Sequence, residues 1–360
     1  MKKILIAALL FILFPLVITG ADGKSRTQSI FHVENFGFFD NREVHSPYQF
    51  SGTYFGTRLG ADGGFQFGNS SVAAGGYVIK DFGQRGLSAS DWTLYYRYQG
   101  DRFSGAFGSF PRSLLFRELP DVFVDEVLRY YTPNLSGALF QMKTYRYGVP
   151  NGYVELYCDW LSRQSYTERE IFEIVSDGEW HAALPLTFGY NARLTHFSVR
   201  KGTTPDRVYD KLMLNPYATF RHGLGKGGFS LTTGLMASLN RDRNDKIWKT
   251  PIGFLSDARL GLPLFRNGTA IELRDRLYAG QTLMSNYELY GTLLHRGDPY
   301  YRSSFYNRTD ISLILLHKGF DDSFSTHIYR TSINCRITAS FHYTESILDY
   351  SQQIHVRLLF

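Results

Sequence analysis

Hydrophobic and polar residues alternate with a period of two along most of this chain. The last eight residues show it most cleanly. Ile354, Val356, Leu358 and Phe360 fill the even positions, and Gln353, His355, Arg357 and Leu359 the odd ones. Successive side chains of a strand point to opposite faces, so this ending predicts a strand with one apolar and one mostly polar face. Trp92, Leu94, Tyr96 and Tyr98 alternate in the same way with Asp91, Thr93, Arg97 and Gln99. Val154, Leu156, Cys158 and Trp160 oppose Glu155 and Asp159. Val208, Leu212, Leu214, Ala218 and Phe220 oppose Arg207, Lys211, Asn215 and Arg221, with Asp210 and Pro216 out of place on the apolar side. Phe229, Leu231, Leu235 and Leu239 oppose Ser230, Thr232, Ser238 and Asn240, and Ile311, Leu313 and Leu315 oppose Arg308, Asp310 and Ser312.

Extending the rhythm predicts sixteen strands, near 29–39, 50–68, 72–83, 91–100, 102–109, 135–145, 152–163, 168–177, 180–198, 207–222, 227–240, 251–264, 268–279, 306–317, 325–343 and 349–360. One miscounted hairpin would make the number fourteen or eighteen. Asn69-Ser70-Ser71, Gln99-Gly100-Asp101, Asp177-Gly178 and Arg266-Asn267-Gly268 carry turn chemistry, and Leu224 to Gly228 reads as a tight connection.

The N-terminus follows a different grammar. Met1-Lys2-Lys3 is basic, Ile4 to Ile18 is apolar, and Thr19-Gly20-Ala21 are small. This predicts a signal peptide over residues 1–21 and a single barrel domain over 22–360. The apolar run is shorter than a membrane-spanning helix needs. Removing Lys2 and Lys3 lowers the formal charge from +6 to +4, too mild to suggest nucleic acid.

Composition then narrows the class. The chain has 29 Phe, 25 Tyr and 4 Trp, yet its mean hydropathy is −0.23. Strands with one lipid-facing and one polar face reconcile those values, because averaging conceals the membrane face.

The leader, the alternation over nearly the whole remaining chain and the terminal Phe360 together resemble porin-like bacterial outer-membrane β-barrels of the Bacteroidetes type. The resemblance implies an all-β, antiparallel up-and-down transmembrane barrel. It implies that the barrel-assembly machinery recognises Ile354, Val356, Leu358 and Phe360. It also implies surroundings of outer-membrane lipid and lipopolysaccharide, passive diffusion of small hydrophilic solutes, and compatibility with a homo-oligomer.

Strand parity assigns charges to the lumen, because Arg or Lys facing mid-membrane lipid costs about 2–4 kcal/mol. The predicted lumen wall carries Arg97, Glu155, Asp159, Arg193, Lys211, Arg221, Arg259, Arg274, Arg308, Arg336 and Arg357. Basic residues outnumber acids there, which points to a weak anion preference. Phe110 to Asn134 breaks the rhythm, with three prolines and no period of two. A loop of this length is usually functional. It either packs on the rim, with Asp121 free to cap a short helix, or folds inward like a porin loop. Folded inward, Arg112, Arg117, Glu118, Asp121, Asp125, Glu126 and Arg129 would form a constriction.

Other chemistries find less support. Cys158 and Cys335 fit no metal spacing and lie on apolar parities, which favours free thiols. No cofactor motif occurs. Outer-membrane lipases and lipid A deacylases resemble this chain in fold and set Ser beside His on the lipid-facing wall. His196 and Ser198 share the parity of Leu194, but neither Gly-x-Ser-x-Gly nor His-x-Ser-Asn-Gly is present. The expectation is therefore a barrel without enzymatic activity. A receptor or adhesin would use outer loops, and Gly297 to Asn307, with Tyr300, Tyr301, Arg302 and Tyr306, is the most suggestive. Its plainer reading is an aromatic belt.

Overall fold

The computed structural model describes residues 27–183, 185–202, 207–225, 227–244, 246–265, 269–318 and 332–359. The predicted signal peptide, the Arg266-Asn267-Gly268 turn and Phe360 lie outside them. Sixteen long strands form one closed antiparallel sheet. They are β1 Gln28–Glu43, β2 Gly52–Phe67, β3 Ser70–Asp81, β4 Ala89–Gln99, β5 Phe103–Pro111, β6 Asn134–Arg146, β7 Val149–Ser162 and β8 Ile171–Ala183. Then follow β9 Leu186–Phe197, β10 Tyr209–Leu224, β11 Gly227–Asp242, β12 Ile252–Pro263, β13 Ala270–Gly280, β14 Phe305–Lys318, β15 Ser332–Thr344 and β16 Ile347–Leu359. A three-residue strand, Ile247–Lys249, extends the hairpin after β11.

Each strand pairs with its sequence neighbours, and β16 closes the ring on β1 from Glu34↔Leu359 to Glu43↔Tyr350. Closure leaves no sheet edge, the condition for β-structure to cross lipid, where an unpaired backbone group has no water to bond. No helix among the described residues is long and apolar enough to span a membrane.

Parity divides the wall as the alternation predicts. Leu235 is 64% exposed on the outer face, whereas Ser238 and Ser312 are buried inside. Cys158 and Cys335 are free and share outward parities with Leu156 and Ile337. One predicted turn is absent: Asp177-Gly178 lies within β8, which continues to Ala183 before the chain reverses into β9. Asp177 belongs to the inward row Val175, Asp177, Glu179, all buried, so its polarity marks the lumen side and not a turn. The tight connection after Leu224 does form, with Gly225 at φ +61.

Among the described residues, the long connections gather at one end. Two of them, 112–133 and 281–304, turn into the barrel, where their Val122, Phe123, Leu283 and Tyr301 join wall residues such as Met213 and Tyr278 in the main buried cluster. Residues 112–133 contain a 3-10 turn, Arg112–Leu114, and helix α1, Glu126–Tyr131. Residues 281–304 contain helix α2, Tyr287–Leu294, and a 3-10 turn, Pro299–Arg302. Asp125, not Asp121, caps α1, accepting a bond from the Glu126 amide at 2.8 Å. Such a cap is worth about 1 kcal/mol.

Leu235→Arg should destabilise the barrel by about 2–4 kcal/mol, because it places a guanidinium near mid-membrane on the lipid face. Thr232→Arg, on the lumen parity, should cost under about 1 kcal/mol by the same logic. Reversible urea unfolding in phospholipid vesicles measures both, and equal costs would mean the faces are misassigned.

Candidate functional site

Wall arginines hold the first inward loop. Arg276 binds Asp121 of the loop and Asp310 of β14 together. Arg308 meets Asp310 at 2.8 Å and Glu126 at 3.4 Å, and Gln353 reaches Glu126 at 2.8 Å. Arg193 donates to the Phe123 carbonyl. Arg58 donates to the carbonyls of Arg129 and Tyr130, both at 2.9 Å. From the loop side, Arg112 pairs with Asp159 at 3.0 Å and Arg117 with Glu179. Glu155 accepts from the Phe116 amide at 2.8 Å. Arg129 reaches Asp121 at 3.2 Å, while Glu118 stays exposed, 3.7 Å from Arg129.

The loop thus meets Glu155, Asp159, Arg193 and Arg308 of the predicted wall. Arg221 joins it through Glu179, at 3.0 Å. Other predicted residues find partners within the wall. Arg259 and Arg274 share Asp257, at 3.0 and 2.7 Å. Arg336 meets Glu272 at 3.0 Å and Arg357 meets Glu34 at 3.2 Å. Arg97 lies on the inward parity of β4, opposite Ser71 and Ala106. Lys211 donates to the Leu283 carbonyl. Ile354, Val356 and Leu358 share the outward parity of β16, with Ile354 41% exposed. The expected excess of lumenal base is smaller than parity counting gave, because Glu34, Asp40, Glu173, Asp177, Glu179 and Asp242 also occupy the inner face, most of them buried. Most of these acids lie near strand ends or in the segment where a turn was expected at Asp177-Gly178.

The second inward loop was not anticipated. Tyr300 and Tyr301 are buried, so Gly297 to Asn307 is no rim belt. Tyr300 stacks on Tyr306 with centroids 5.0 Å apart and donates to Asp349 at 2.8 Å. The two loops bond to each other: the Asp125 amide to the Arg296 carbonyl at 2.6 Å, and the Asp298 amide to the Asp121 carbonyl at 2.8 Å. Gly297 lies so close to Val122 that a Cβ there would overlap the Val122 carbonyl.

A different arrangement lies on the outer wall near the loop end. The register sets Trp160, Phe172, His196, Asp210 and Arg241 side by side across β7 to β11. Trp160 stacks on Phe172 at 5.0 Å, and Phe172 packs on the His196 ring at 4.9 Å. His196 Nδ1 and Asp210 Oδ1 are 2.8 Å apart. Arg243, just beyond β11, grips both Asp210 oxygens at 2.6 and 2.9 Å. Ser198 follows at the next position of His196's parity, immediately past the end of β9. The sequence had flagged this Asp only as a break in apolar parity; that break was its signal.

Fold and wall together define an outer-membrane β-barrel of the porin-like, sixteen-stranded class. Among solved structures, it is similar to the anion-selective porin from Comamonas acidovorans, with 11% identity and a TM-score of 0.53 over 94% of this chain and 100% of that one. It is also similar to a loop-deletion form of OmpT from Vibrio cholerae, with 11% identity and a TM-score of 0.50 over 93% and 98%. These likenesses concern the fold alone. No curated protein matches the chain. The profile of the family described as Lipid A 3'-O-deacylase-type matches residues 21–196, a little under half of the chain. That match overturns the expectation of a barrel without enzymatic activity. The expectation had leaned on missing nucleophile motifs, such as the strand-to-helix elbow of α/β hydrolases. A barrel wall can assemble a Ser-His-Asp set by cross-strand register instead.

Burial, and then neighbouring Asp298, push the Asp125 carboxyl up from 3.8 to about 7. Burial would raise Glu126 as well, but Arg308, His355 and Arg42 outweigh it and hold Glu126 at about 2. A raised carboxyl pKa means that the native fold favours protonated Asp125. Its contribution is full below about pH 4 and is lost as pH rises towards 7. Hydrogen exchange of residues 112–133 should therefore accelerate across that window beyond its intrinsic pH dependence. Asp125→Asn should abolish the excess, and an unchanged profile in the variant would remove Asp125 as the cause.

Proposed function

We propose that this protein is an outer-membrane ester hydrolase that removes acyl chains from lipid A-type glycolipids, with Ser198 as nucleophile, His196 as base and Asp210 as its orienting acid. The observation that carries this is the 2.8 Å contact between His196 Nδ1 and Asp210 on the outward face, with Ser198 next on the same parity. Asp210 accepts from Nδ1–H and leaves the Nε2 lone pair for the Ser198 hydroxyl. The Ser198 Oγ then attacks the ester carbonyl carbon while Nε2 takes its proton. The bond from that carbon to the sugar oxygen breaks, and the proton passes to the leaving oxygen. Water, deprotonated by the same Nε2, releases the fatty acid and restores Ser198.

The surroundings suit a lipid substrate. His196 and Asp210 are only 16% and 20% exposed, beside aromatic Phe172 and Trp160. Aromatic side chains favour the depth where acyl chains give way to headgroups. Leu194 and Leu212 continue the same outward parity towards the apolar band. The family match ends at His196, short of Ser198 and Asp210, and supports the enzyme class rather than these two assignments. Ser198 makes no side-chain hydrogen bond to His196 here, and catalytic bonds of this kind commonly tighten only with substrate bound.

Fatty-acid release from lipopolysaccharide in proteoliposomes, followed by mass spectrometry, tests the reading. Ser198→Ala and His196→Ala should lower the rate by about 10³-fold or more, and Asp210→Asn by about 10²- to 10⁴-fold. Each variant should keep the heat-modifiable mobility of a folded barrel. Undiminished release by Ser198→Ala would end the proposal.

We further propose that residues 112–133 set the width of a diffusion path for small hydrophilic solutes through the same barrel. Sixteen strands enclose more space than wall side chains fill. The loop's Asp121 and Glu126 pair directly with Arg276 and Arg308 of the wall, which fixes the loop within that space. Deleting residues 113–128 should raise single-channel conductance in planar bilayers, and equal conductance would dismiss the constriction.

A further inference from the structure

On the lumen side, β10, β11 and Ile247–Lys249 face the second inward loop across a cavity of about 100 Å³. Lys211, Asn240, Asp242, Lys249 and His295 are among its lining residues. Lys211 is 2% exposed. Its Nζ bonds the Leu283 carbonyl at 3.0 Å and His295 Nδ1 at 2.8 Å. His295 Nε2 lies 2.8 Å from the Ser285 carbonyl. A carbonyl only accepts, so Nε2 carries the proton and Nδ1 is the acceptor for Lys211. Burial, and then Lys211 itself, keep this imidazole neutral, with its pKa lowered to about 2.

The Lys211 amine therefore has only neutral acceptors. Among the described residues no carboxylate lies within ion-pair distance of it, and the nearby ones are committed. Glu173 accepts from Thr195 at 3.0 Å and faces Arg193 at 3.7 Å. Asp242 is held by Arg207 at 2.7 Å. Asp210 also borders the cavity but is engaged by His196 and Arg243. A buried charge without a counter-charge is expensive. A second polar group points the same way: Asn240 Nδ2 is buried with no hydrogen-bond partner, its Oδ1 accepting from Ser238 at 3.0 Å. Lys249, which pairs with Asn240 in the register, is exposed. The unmet capacity of the cavity is all donor.

We propose that this cavity is an anion site that takes a small oxyanion, a carboxylate or phosphate group, on Lys211 Nζ and Asn240 Nδ2, with Lys249 beside its opening. Bonds from these donors to an oxyanion are charge-assisted, and give Lys211 a counter-charge and Asn240 Nδ2 an acceptor at once. The inference does not rest on the hydrolase reading and uses none of its three residues.

Isothermal titration of the full detergent-solubilised barrel with inorganic phosphate and with acetate tests it. One saturable site per chain is expected, weakened at least tenfold by Lys211→Met and by Asn240→Ala, and about threefold by Lys249→Gln. If Lys211→Met does not give a folded barrel, the other two variants carry the test. Competition by glycerol phosphate would mark an esterified headgroup as a source, and its exclusion would restrict the site to free ions. No saturable binding, or equal binding by all variants, would overturn the proposal.

Discussion

Arg276 is the residue on which the interior depends. Its guanidinium takes one carboxylate from the first inward loop, Asp121, and one from the wall, Asp310. Asp121 then passes the connection on: its carbonyl accepts the Asp298 amide of the second loop. One side chain thus ties two long connections and a strand into a single body. Removing one partner of such a buried set leaves an uncompensated charge, which costs far more than an exposed pair contributes. Arg308 repeats the pattern on the next strand, between Asp310 and Glu126. The loops stay inside the barrel because the wall offers them charges that they could not leave behind cheaply.

The inner and outer faces divide the chemistry. Inside, most arginines meet carboxylates, whereas Lys211 meets only a carbonyl and a neutral imidazole. Outside, ionisable groups are few, and His196 and Asp210 stand out because they sit where leucine or phenylalanine would be expected. A carboxylate on that face needs support, and Arg243 and His196 provide it from either side.

Much of the fold was legible because a barrel wall is written in one symbol, parity. Leu235, Ser238, Glu155 and Arg308 could be assigned to faces from their neighbours alone. Parity is silent on three matters. It does not tell a polar lumen residue from a turn, so Asp177 was misread. It does not say which way a long loop folds. The inward path of Tyr300 depends on Asp349 and His342, which are close in space and distant in sequence. Nor does it pair residues across strands, so His196 and Asp210, aligned by the β9–β10 register, looked unrelated.

The outward row also fixes how deep into lipid the protein can work. Residues along the hydrogen-bonding direction sit about 4.8 Å apart. Moving such a row up or down while keeping its face takes two residues on every strand, a step of about 7 Å along the strand and about 5 Å in depth at a tilt of roughly 40°. Intermediate depths are closed to it, since a one-residue slip would turn the whole row into the lumen. A barrel of this kind therefore samples the bilayer in discrete storeys. The register between β9 and β10 decides which storey, and with it which stretch of a neighbouring lipid molecule lies within arm's length.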